Sequence, residues 1–560
     1  MVICLVLFYG NLNAPFYDKQ EAREALVVWE INHSGNWILP LRNGKEIPSK
    51  PPLYHWLAAI TSQSADRLNE ITARLPSAIL GTLGVLLVYL AGATLWNRSA
   101  GLISGLILAT SVEWWDTAKV ARVDMTLTFV LLCAFLFFLY VYRTGGGRNK
   151  AIVLGLLLGL ATLAKGPLGF VVPSFAYLVF LCLKRKLCFI KELHPLIVIS
   201  TCAVVAESWY ALALLQGGKA FLEVVLKENF SMTIGREAGH PHSFYWYVPI
   251  LFQKMAPWSL FFLPLAVWLS RSRRVLERDE FLYLVVWIAA SFCFFSAFTQ
   301  KRSVYILMLY PALALLLGAW WRELQENAGP PDWNWLLRPA AYLSAASFLI
   351  LSGVLLFQVF GSGISSLLLP ELDPKDRAQK QLLTRLLVDL RISLVFWAVA
   401  CGFGGALLVL FIKKSAWGRF VGCMSALMVV SLFFVRTFDA YLAQRYGFKS
   451  FMKHVVDKTN HGPLYFYDSN DYGVEFYADR RIPSLTADPL EVRAGPHYVL
   501  LWEKEWKQIS PTTDLSVLDA SDSIDRMGKG RLLFALATGR SLSSAFLRDS
   551  SAEISDQDRQ

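Results

Sequence analysis

The sequence predicts an α-helical polytopic membrane protein that ends in a small α/β domain. The chain of 560 residues is 55% hydrophobic, and its mean hydropathy is +0.42. Only 17% of the residues are charged, against roughly a quarter in soluble domains. Many apolar stretches approach the roughly 20 residues that cross a bilayer as a helix. After residue 437, short strand-like runs replace these stretches.

The apolar stretches predict about thirteen transmembrane helices. The first is short and could also be a signal-peptide core, but no small-residue cleavage site precedes Asn13, so we interpret it as an anchor. We expect the helices near residues 1–13, 76–96, 100–115, 125–142, 151–164, 167–183, 195–215, 249–270, 281–298, 303–321, 339–360, 392–412 and 418–436.

Basic residues between the apolar stretches predict the orientation. They form short clusters, such as Lys184-Arg185-Lys186 and Arg271 to Arg274, and Lys and Arg in short loops mark the cytoplasmic side. With the N-terminus in the cytoplasm, the segments 14–75, 216–248, 299–302, 361–391 and 437–560 lie outside. The net charge of +11 therefore reflects orientation, and we expect no nucleic-acid partner.

The predicted domains follow from this topology. We expect a transmembrane domain over 1–436, with a first periplasmic loop at 14–75 and a second large loop at 216–248. The aromatic runs broken by Asp, Asn and Gly after residue 437, together with "HYVLLWE", predict a C-terminal periplasmic α/β domain over 437–545. The polar stretch 546–560 is predicted to be a tail without fixed structure.

The first loop contains two predicted helices. From Gln20 to Ser34 the apolar residues recur at helical spacing and Gly35 fits a helix C-cap, so we expect an amphipathic helix on the membrane surface. Asp18 and Glu21 flank its start, where an N-cap and a capping-box acid would be the ordinary interpretation. An Asn-Gly turn at Asn43 precedes the second helix.

Lys50 lies at the start of that second helix, in "SKPPLYHWLAAI". The backbone N–H groups and dipole of a helix N-terminus already favour an anion, and a lysine strengthens that field. A lysine that only extends its amine from the bilayer into water is an equally common explanation. Spacing alone leaves both interpretations open.

Further charged residues gather at the outer ends of other spans. "WWDTAKVARVDMTLTF" carries Lys119, Arg122 and Asp124, "ATLAKGPLGF" carries Lys165, and "FTQKRSVYILMLYP" carries Lys301, Arg302 and Tyr305. Cations should be scarce on the outer face, and ionisable residues at membrane depth are candidates for function. An anionic ligand at this interface would explain them. A polyprenyl phosphate has a suitable shape, with an apolar tail and a phosphate head.

A metal site is not favoured by the sequence. His240 and His242 form an H-x-H pair in "GHPHSFYWYVP", but that segment contains no carboxylate that could complete a metal site. A divalent metal is therefore the weaker interpretation, and we expect no metal-binding residue and name no cofactor.

Five separated motifs, in order, resemble the bacterial GT-C glycosyltransferases of the aminoarabinose transferase and protein O-mannosyltransferase type. The resemblance covers about residues 15–320. Four later signatures follow the motif of the first loop: "ARVDMTLTF", "LAKGP", "HPHSFYWYVP" and "KRSVYILMLYP". The first-loop motif is carried by Tyr17, Asp18, Glu21, Ala22, Arg23, Ser34, Gly35, Asn36, Trp37, Pro40, Asn43, Gly44, Lys50, Pro51, Pro52, Leu53, Trp56 and Leu57.

The resemblance implies an inverting transfer of a sugar from a polyprenyl-phosphate donor to an envelope acceptor, which could be lipid A, a glycan or a protein. It implies the periplasmic face of the bacterial inner membrane as the location. Lys50 would bind the donor phosphate, and Lys165, Lys301 and Tyr305 match supporting positions. Arg122, Arg302 and His240 are further candidates for substrate or phosphate binding.

The catalytic carboxylate is left open by a departure from the family pattern. The usual Asp position is Gln20 in this chain, and glutamine cannot accept a proton from the acceptor. Asp18 or Glu21 would then be the base, with Asp124 as a second acid near the cavity. Ser49 stands where some relatives have an acid, which further weakens a metal site.

A transporter or flippase of lipid-linked sugars is the alternative from another functional class. Such proteins show paired halves with broken helices near the membrane midplane. The sequence shows no such symmetry, and its charges gather at one face, so a transferase is favoured.

Overall fold

The computed structural model describes residues 1–65, 67–228, 242–271, 273–326, 334–360, 389–460, 462–485, 497–510, 515–524 and 529–537. His240 and the predicted tail 546–560 lie outside these ranges. The chain divides into two compact units. Unit 1 comprises Met1–Leu12, Trp37–Leu39 and Ile47–Thr437, and unit 2 comprises Asn13–Asn36, Pro40–Glu46 and Phe438–Gln560.

The described residues form helices through most of the chain and strands only near its end. The helices are α1 Val2–Phe8, α2 Lys19–Ser34, α3 Leu53–Ser64, α4 Glu70–Leu95, α5 Arg98–Ala109, α6 Val112–Ala118, α7 Val123–Thr144, α8 Arg148–Lys165, α9 Leu168–Leu183, α10 Phe189–Glu192, α11 Pro195–Leu226, α12 Tyr247–Lys254, α13 Phe262–Arg271, α14 Arg273–Glu277, α15 Asp279–Ser296, α16 Tyr310–Glu326, α17 Asn334–Phe360, α18 Arg391–Lys413, α19 Trp417–Tyr446, α20 Lys449–Thr459, α21 Tyr472–Ala478 and α22 Glu503–Ile509. The strands are β1 Leu464–Phe466, β2 His497–Trp502, β3 Ser516–Ile524 and β4 Arg531–Ala537.

Unit 1 is an integral membrane bundle. Among the described residues, eight helices are long and apolar enough to cross a membrane, or nine if the bent pair Phe244–Lys254 and Trp258–Arg271 counts as one. Large apolar side chains project from these helices, among them Leu215, which is 82% exposed, and Ile392, which is 75% exposed. Exposed apolar surface of this extent is typical of contact with lipid.

The prediction of about thirteen spans is not confirmed. Helix α1 has seven residues, and α5 and α9 are apolar but have only 12 and 16 residues. Helix α11 continues past residue 216, where the second loop is predicted to start, and reaches Leu226, with non-helical backbone angles at Gly218. The bounds of that loop stay a prediction. Residues 229–241 of that predicted loop lie outside the described ranges.

Unit 1 is held together by close helix packing as well as by large aromatic side chains. Helices α4 and α5 approach so closely that a Cβ atom on Gly92 would lie 2.7 Å from the Cα atom of Gly101. Small residues permit such approach in membrane proteins. The core also contains the fully buried Trp114, Trp258 and Trp287. Helix α8 packs against α7, α9 and α11, and this group positions the cavity described below.

Unit 2 contains the predicted C-terminal sheet. Its strands are ordered β1-β2-β4-β3, with β1 parallel to β2 and the other neighbours antiparallel. The segment "HYVLLW" forms β2, as the sequence predicts, and residues Val499 to Trp502 are completely buried. Helix α20 and the sheet share one apolar core that includes Phe451, Leu500 and Phe534.

The first-loop helix α2 also belongs to unit 2, which differs from the predicted domain division. Helix α2 packs against α21, and the Arg481 guanidinium donates two hydrogen bonds to the Glu30 carboxylate, at 3.0 and 2.8 Å. Its buried residues include Glu21, Glu24 and Glu30 as well as apolar ones. Helix α2 is thus packed within unit 2, and its predicted position on the membrane surface stays a prediction.

Candidate active site

A cavity of about 210 Å³ lies within unit 1, where the loop before α3, the α8–α9 junction, α11 and the end of α15 meet. Its wall combines charged and aromatic side chains. The described lining residues are Pro48, Ser49, Lys50, Pro51, Lys165, Pro167, Leu168, Trp209, Tyr210, Phe221, Val225, Glu228, Phe295, Phe298, Gln300 and Tyr305.

Lys50 reaches this cavity from the turn that precedes α3. Pro52 occupies the N-cap position and α3 begins at Leu53, because a proline residue suits a helix start and not a helix interior. The Lys50 ammonium forms an ion pair with the Glu228 carboxylate. Each of the two side chains is 19% exposed, so the pair lies in the cavity wall.

Lys165 enters the same cavity from the end of α8. The helix stops because Gly166 adopts φ 87° and ψ −162°, a conformation that is essentially restricted to glycine, and Pro167 is the N-cap residue of α9. The Lys165 ammonium pairs with the Asp124 carboxylate and lies 4.6 Å from the centre of the Tyr305 ring. The "LAKGP" motif thus presents a lysine at a helix end.

Asp124 connects two of the predicted cations. Besides Lys165, it pairs with Arg122, whose guanidinium lies 3.0 Å from the second carboxylate oxygen. The Asp124 side chain is only 4% exposed. A carboxylate that two cations already hold is best suited to positioning Lys165.

The remaining wall of the cavity is aromatic. Trp209, Tyr210 and Phe221 come from α11, and Phe295 comes from α15. The Trp209 indole N–H donates a hydrogen bond of 2.9 Å to the carbonyl oxygen of Ile38, which fixes the ring. The cavity therefore offers cations for an anionic group and apolar surface for a hydrocarbon chain.

Lys301 and Arg302 are not among the described residues that line the cavity. Lys301 is 3% exposed, and its ammonium donates to the backbone carbonyl groups of Phe298 and His242. Burial lowers the pKa of the Lys301 ammonium. Arg302 is exposed. Of the cations expected to converge, Lys50 and Lys165 line the cavity, and Arg122 pairs with the same Asp124 carboxylate as Lys165.

Asp18 and Glu21, the candidate bases, belong to unit 2. The Asp18 carboxylate is the N-cap of α2 and accepts a hydrogen bond of 3.1 Å from the Gln20 backbone N–H, which agrees with the ordinary interpretation of that residue. Glu21 is 2% exposed. Which of the two carries chemistry stays a prediction.

Within the described ranges, His, Cys, Asp and Glu form no group of three or more that could hold a metal ion. His240 lies outside those ranges.

Sequence reasoning missed Glu228 and the aromatic wall. The Trp209-Tyr210 pair near the C-terminal end of a predicted apolar span was an available signal, because such pairs often mark interfaces or ligand contacts. Glu228 had a weaker signal, as a single carboxylate just beyond an apolar helix. Its pairing with Lys50, 178 residues away, has no signature in one sequence.

Comparisons with known sequences show that the chain is similar to sugar transferases that are named for lipid-linked donors. Residues 49–210 match the family model of dolichyl-phosphate-mannose-protein mannosyltransferases. An undecaprenyl phosphate-alpha-4-amino-4-deoxy-L-arabinose arabinosyl transferase of Enterobacter sp. (strain 638) is 27% identical over 307 residues, covering 54% of this chain and 55% of that protein. One of the same name from Pseudomonas savastanoi pv. phaseolicola is 29% identical over 302 residues, covering 53% and 56%. The chain thus spans little more than half the length of these curated relatives.

The solved structure of ArnT from Cupriavidus metallidurans bound to undecaprenyl phosphate superposes with a TM-score of 0.76 at 20% identity. The match covers 95% of this chain and 96% of ArnT. The resemblance to the GT-C glycosyltransferases is confirmed. The structural likeness to ArnT extends beyond the residues that the family model matches and includes the C-terminal part of the chain. Lys50, Lys165 and Asp124 all fall within the residues that the family model matches.

Proposed function

We propose that this protein is a glycosyltransferase that moves a sugar from a polyprenyl-phosphate donor to an acceptor in the bacterial envelope. One observation carries the proposal: Lys50 and Lys165 share a cavity whose other wall is aromatic. Phosphate needs fixed cations, and an isoprenoid chain needs apolar surface. The relatives named above support the same class of reaction.

The transfer would break the bond between the anomeric carbon of the sugar and the donor phosphate oxygen. A hydroxyl or amine of the acceptor would attack that carbon from the opposite side and lose its proton to a carboxylate, so that configuration is inverted. The polyprenyl phosphate leaves with one more negative charge than it had in the donor. Lys50 and Lys165 would stabilise that charge, and fixed cations in a poorly solvated cavity do so effectively.

The base in this proposal is Asp18 or Glu21. Accepting the proton of the acceptor is the task of a carboxylate, and general-base catalysis contributes typically about 10²–10⁴ in rate. Asp124 would act as a positioning residue for Lys165, because its carboxylate is bound by Lys165 and Arg122.

We further propose that the reaction takes place on the periplasmic face of the inner membrane. The placement of the basic clusters in short loops supports that orientation. The acceptor would be lipid A, a surface glycan or a protein, and mass spectrometry of envelope lipids and glycans from strains with and without the gene would identify it.

The deciding experiment uses purified protein in lipid nanodiscs with an undecaprenyl-phosphate-linked sugar and an envelope extract as the acceptor source. We expect transfer by the wild type and a loss of at least about 100-fold in Lys50→Ala. The matched control is Lys150→Ala, at the opposite end of α8 from Lys165 and outside the cavity. Wild-type turnover in Lys50→Ala would refute the assignment of the cavity.

A further inference from the structure

The charges around the cavity are nearly balanced before any ligand arrives. Lys50 pairs with Glu228, and Lys165 and Arg122 both pair with Asp124. These three cations and two carboxylates leave a net charge of +1. A phosphate that binds Lys50 must therefore compete with a carboxylate that the protein itself supplies.

The two carboxylates differ in how firmly they are held. Asp124 lies in the first turn of α7 and is 4% exposed, with cations on both oxygens. Glu228 lies just beyond the end of α11, its side chain is 19% exposed, and it lines the cavity beside Lys50. Glu228 can thus leave Lys50 at much lower cost than Asp124 can leave Lys165.

We infer that Glu228 is a displaceable counterion of Lys50, which weakens binding of the lipid phosphate and assists release of the product. This inference rests on the proposed function. The donor is a phosphodiester with one negative charge, whereas the departing polyprenyl phosphate is a monoester with a charge near −2 above its second pKa of about 6. A fixed pair of cations would hold the product more tightly than the donor. A carboxylate that returns to Lys50 opposes this.

Glu228 acts through Lys50 and is therefore a positioning residue. Removing its charge should increase affinity, which loss of folding cannot do. We expect Glu228→Gln to bind undecaprenyl phosphate about 2–5-fold more tightly than the wild type, the upper part of the range for partly exposed ion pairs. With product release slowed, kcat should fall and inhibition by added undecaprenyl phosphate should become stronger.

The test measures binding of undecaprenyl phosphate to the full chain in nanodiscs, without sugar or acceptor, in parallel with turnover. The matched control is Glu223→Gln, which removes the same charge from an exposed position on α11 and should leave affinity unchanged. In a Lys50→Ala background, Glu228→Gln should have no effect on affinity, because its competitor for the lysine is absent. Glu228→Asp should behave more like the wild type than like Glu228→Gln.

The outcomes separate this inference from the proposed function. If Lys50→Ala loses affinity while Glu228→Gln binds as the wild type does or more weakly, Glu228 is not a competing counterion and only this inference fails. If Lys50→Ala binds undecaprenyl phosphate as well as the wild type does, the assignment of the cavity itself fails.

Discussion

Single side chains in unit 1 show how a cation can be kept in an apolar bundle. Lys165 is 10% exposed, and it is tolerated because Asp124 neutralises it and the Tyr305 ring faces it. Burying a charge without a partner is costly. The partner therefore contributes to stability as well as to the geometry of the cavity.

Asp124→Asn should separate these two contributions. The substitution leaves Lys165 and Arg122 without their shared carboxylate, and we expect a loss of stability of about 3 kcal/mol together with a loss of transfer. Asp124→Asn combined with Lys165→Met should recover part of the stability but none of the activity. Thermal unfolding in nanodiscs measures the loss of stability, and turnover measures the loss of transfer. Full activity in the double variant would exclude Lys165 from catalysis.

The two candidate bases can be distinguished without damage to α2. Asn is as good an N-cap residue as Asp, so Asp18→Asn keeps the hydrogen bond from the Gln20 backbone N–H and changes only the charge. We expect one of Asp18→Asn and Glu21→Gln to lower kcat about 10²–10⁴-fold while the other changes it little. If both retain full kcat, neither side chain is the base.

Helix ends are the elements that build this cavity. The lining lysines lie at the start of α3 and the end of α8, where the chain leaves the regular helix and side chains can converge. At the α8–α9 junction, the position of Lys165 depends on Gly166. Residues other than glycine adopt its backbone angles only with strain.

Gly166→Ala should therefore disturb Lys165 although it adds only a methyl group. We expect strain of about 1–3 kcal/mol, a displaced α8 terminus and a fall in transfer of at least about tenfold. The control is Gly353→Ala in α17, where a Cβ atom would meet nothing within 4 Å and alanine favours the helix. Equal activity in both variants would mean that the Lys165 position tolerates the change.

Hydropathy and local motifs predicted the elements better than the site. Gly35 ends α2 with φ 67°, and Asn43 and Gly44 form a turn with positive φ. The "LAKGP" motif predicted the helix break after Lys165. Each of these features depends on neighbouring residues only. The orientation of Lys301 toward backbone carbonyls and the pairing of Lys50 with Glu228 are tertiary contacts. The grouping of residues 13–36 with the C-terminal residues in unit 2 is likewise non-local, and one sequence carries no signal for it.

At the scale of the whole molecule, the two units differ in the kinds of side chain that they expose and bury. Unit 1 exposes apolar side chains, whereas unit 2 buries an acidic cluster. Burial, followed by the charges of Asp471 and Glu46, raises the pKa of Glu475 to about 8. The Asn43 side-chain amide donates a hydrogen bond of 3.3 Å to the same carboxyl group.

Unit 2 should lose stability as the pH rises from about 4.5 to about 8. In this window the folded state holds the Glu475 proton while the unfolded state has released it, so the folding free energy becomes less favourable. Glu475→Gln mimics the protonated form, and above pH 8 we expect it to be more stable than the wild type by on the order of 2 kcal/mol. Below pH 4.5 the two should agree.

Hydrogen exchange of the α21 amides, compared between wild type and variant at each pH, measures this difference locally. Asp457→Asn, an exposed position on α20, is the control and should show no such trend. Equal protection of wild type and Glu475→Gln at pH 8.5 would contradict the prediction.

Unit 2 is built from segments that lie far apart in the sequence, and this fixes the order in which its parts are synthesised. Its first pieces end at Glu46 and its last piece begins at Phe438, so nearly all of the bundle is translated between them. At about 5–20 residues per second, helix α2 is synthesised roughly 20–90 s before α21, the helix against which it packs. During that interval a chaperone or the membrane surface must shield it, and a ribosome that stalls before residue 438 leaves a nascent chain whose first extramembrane segment can never complete its core.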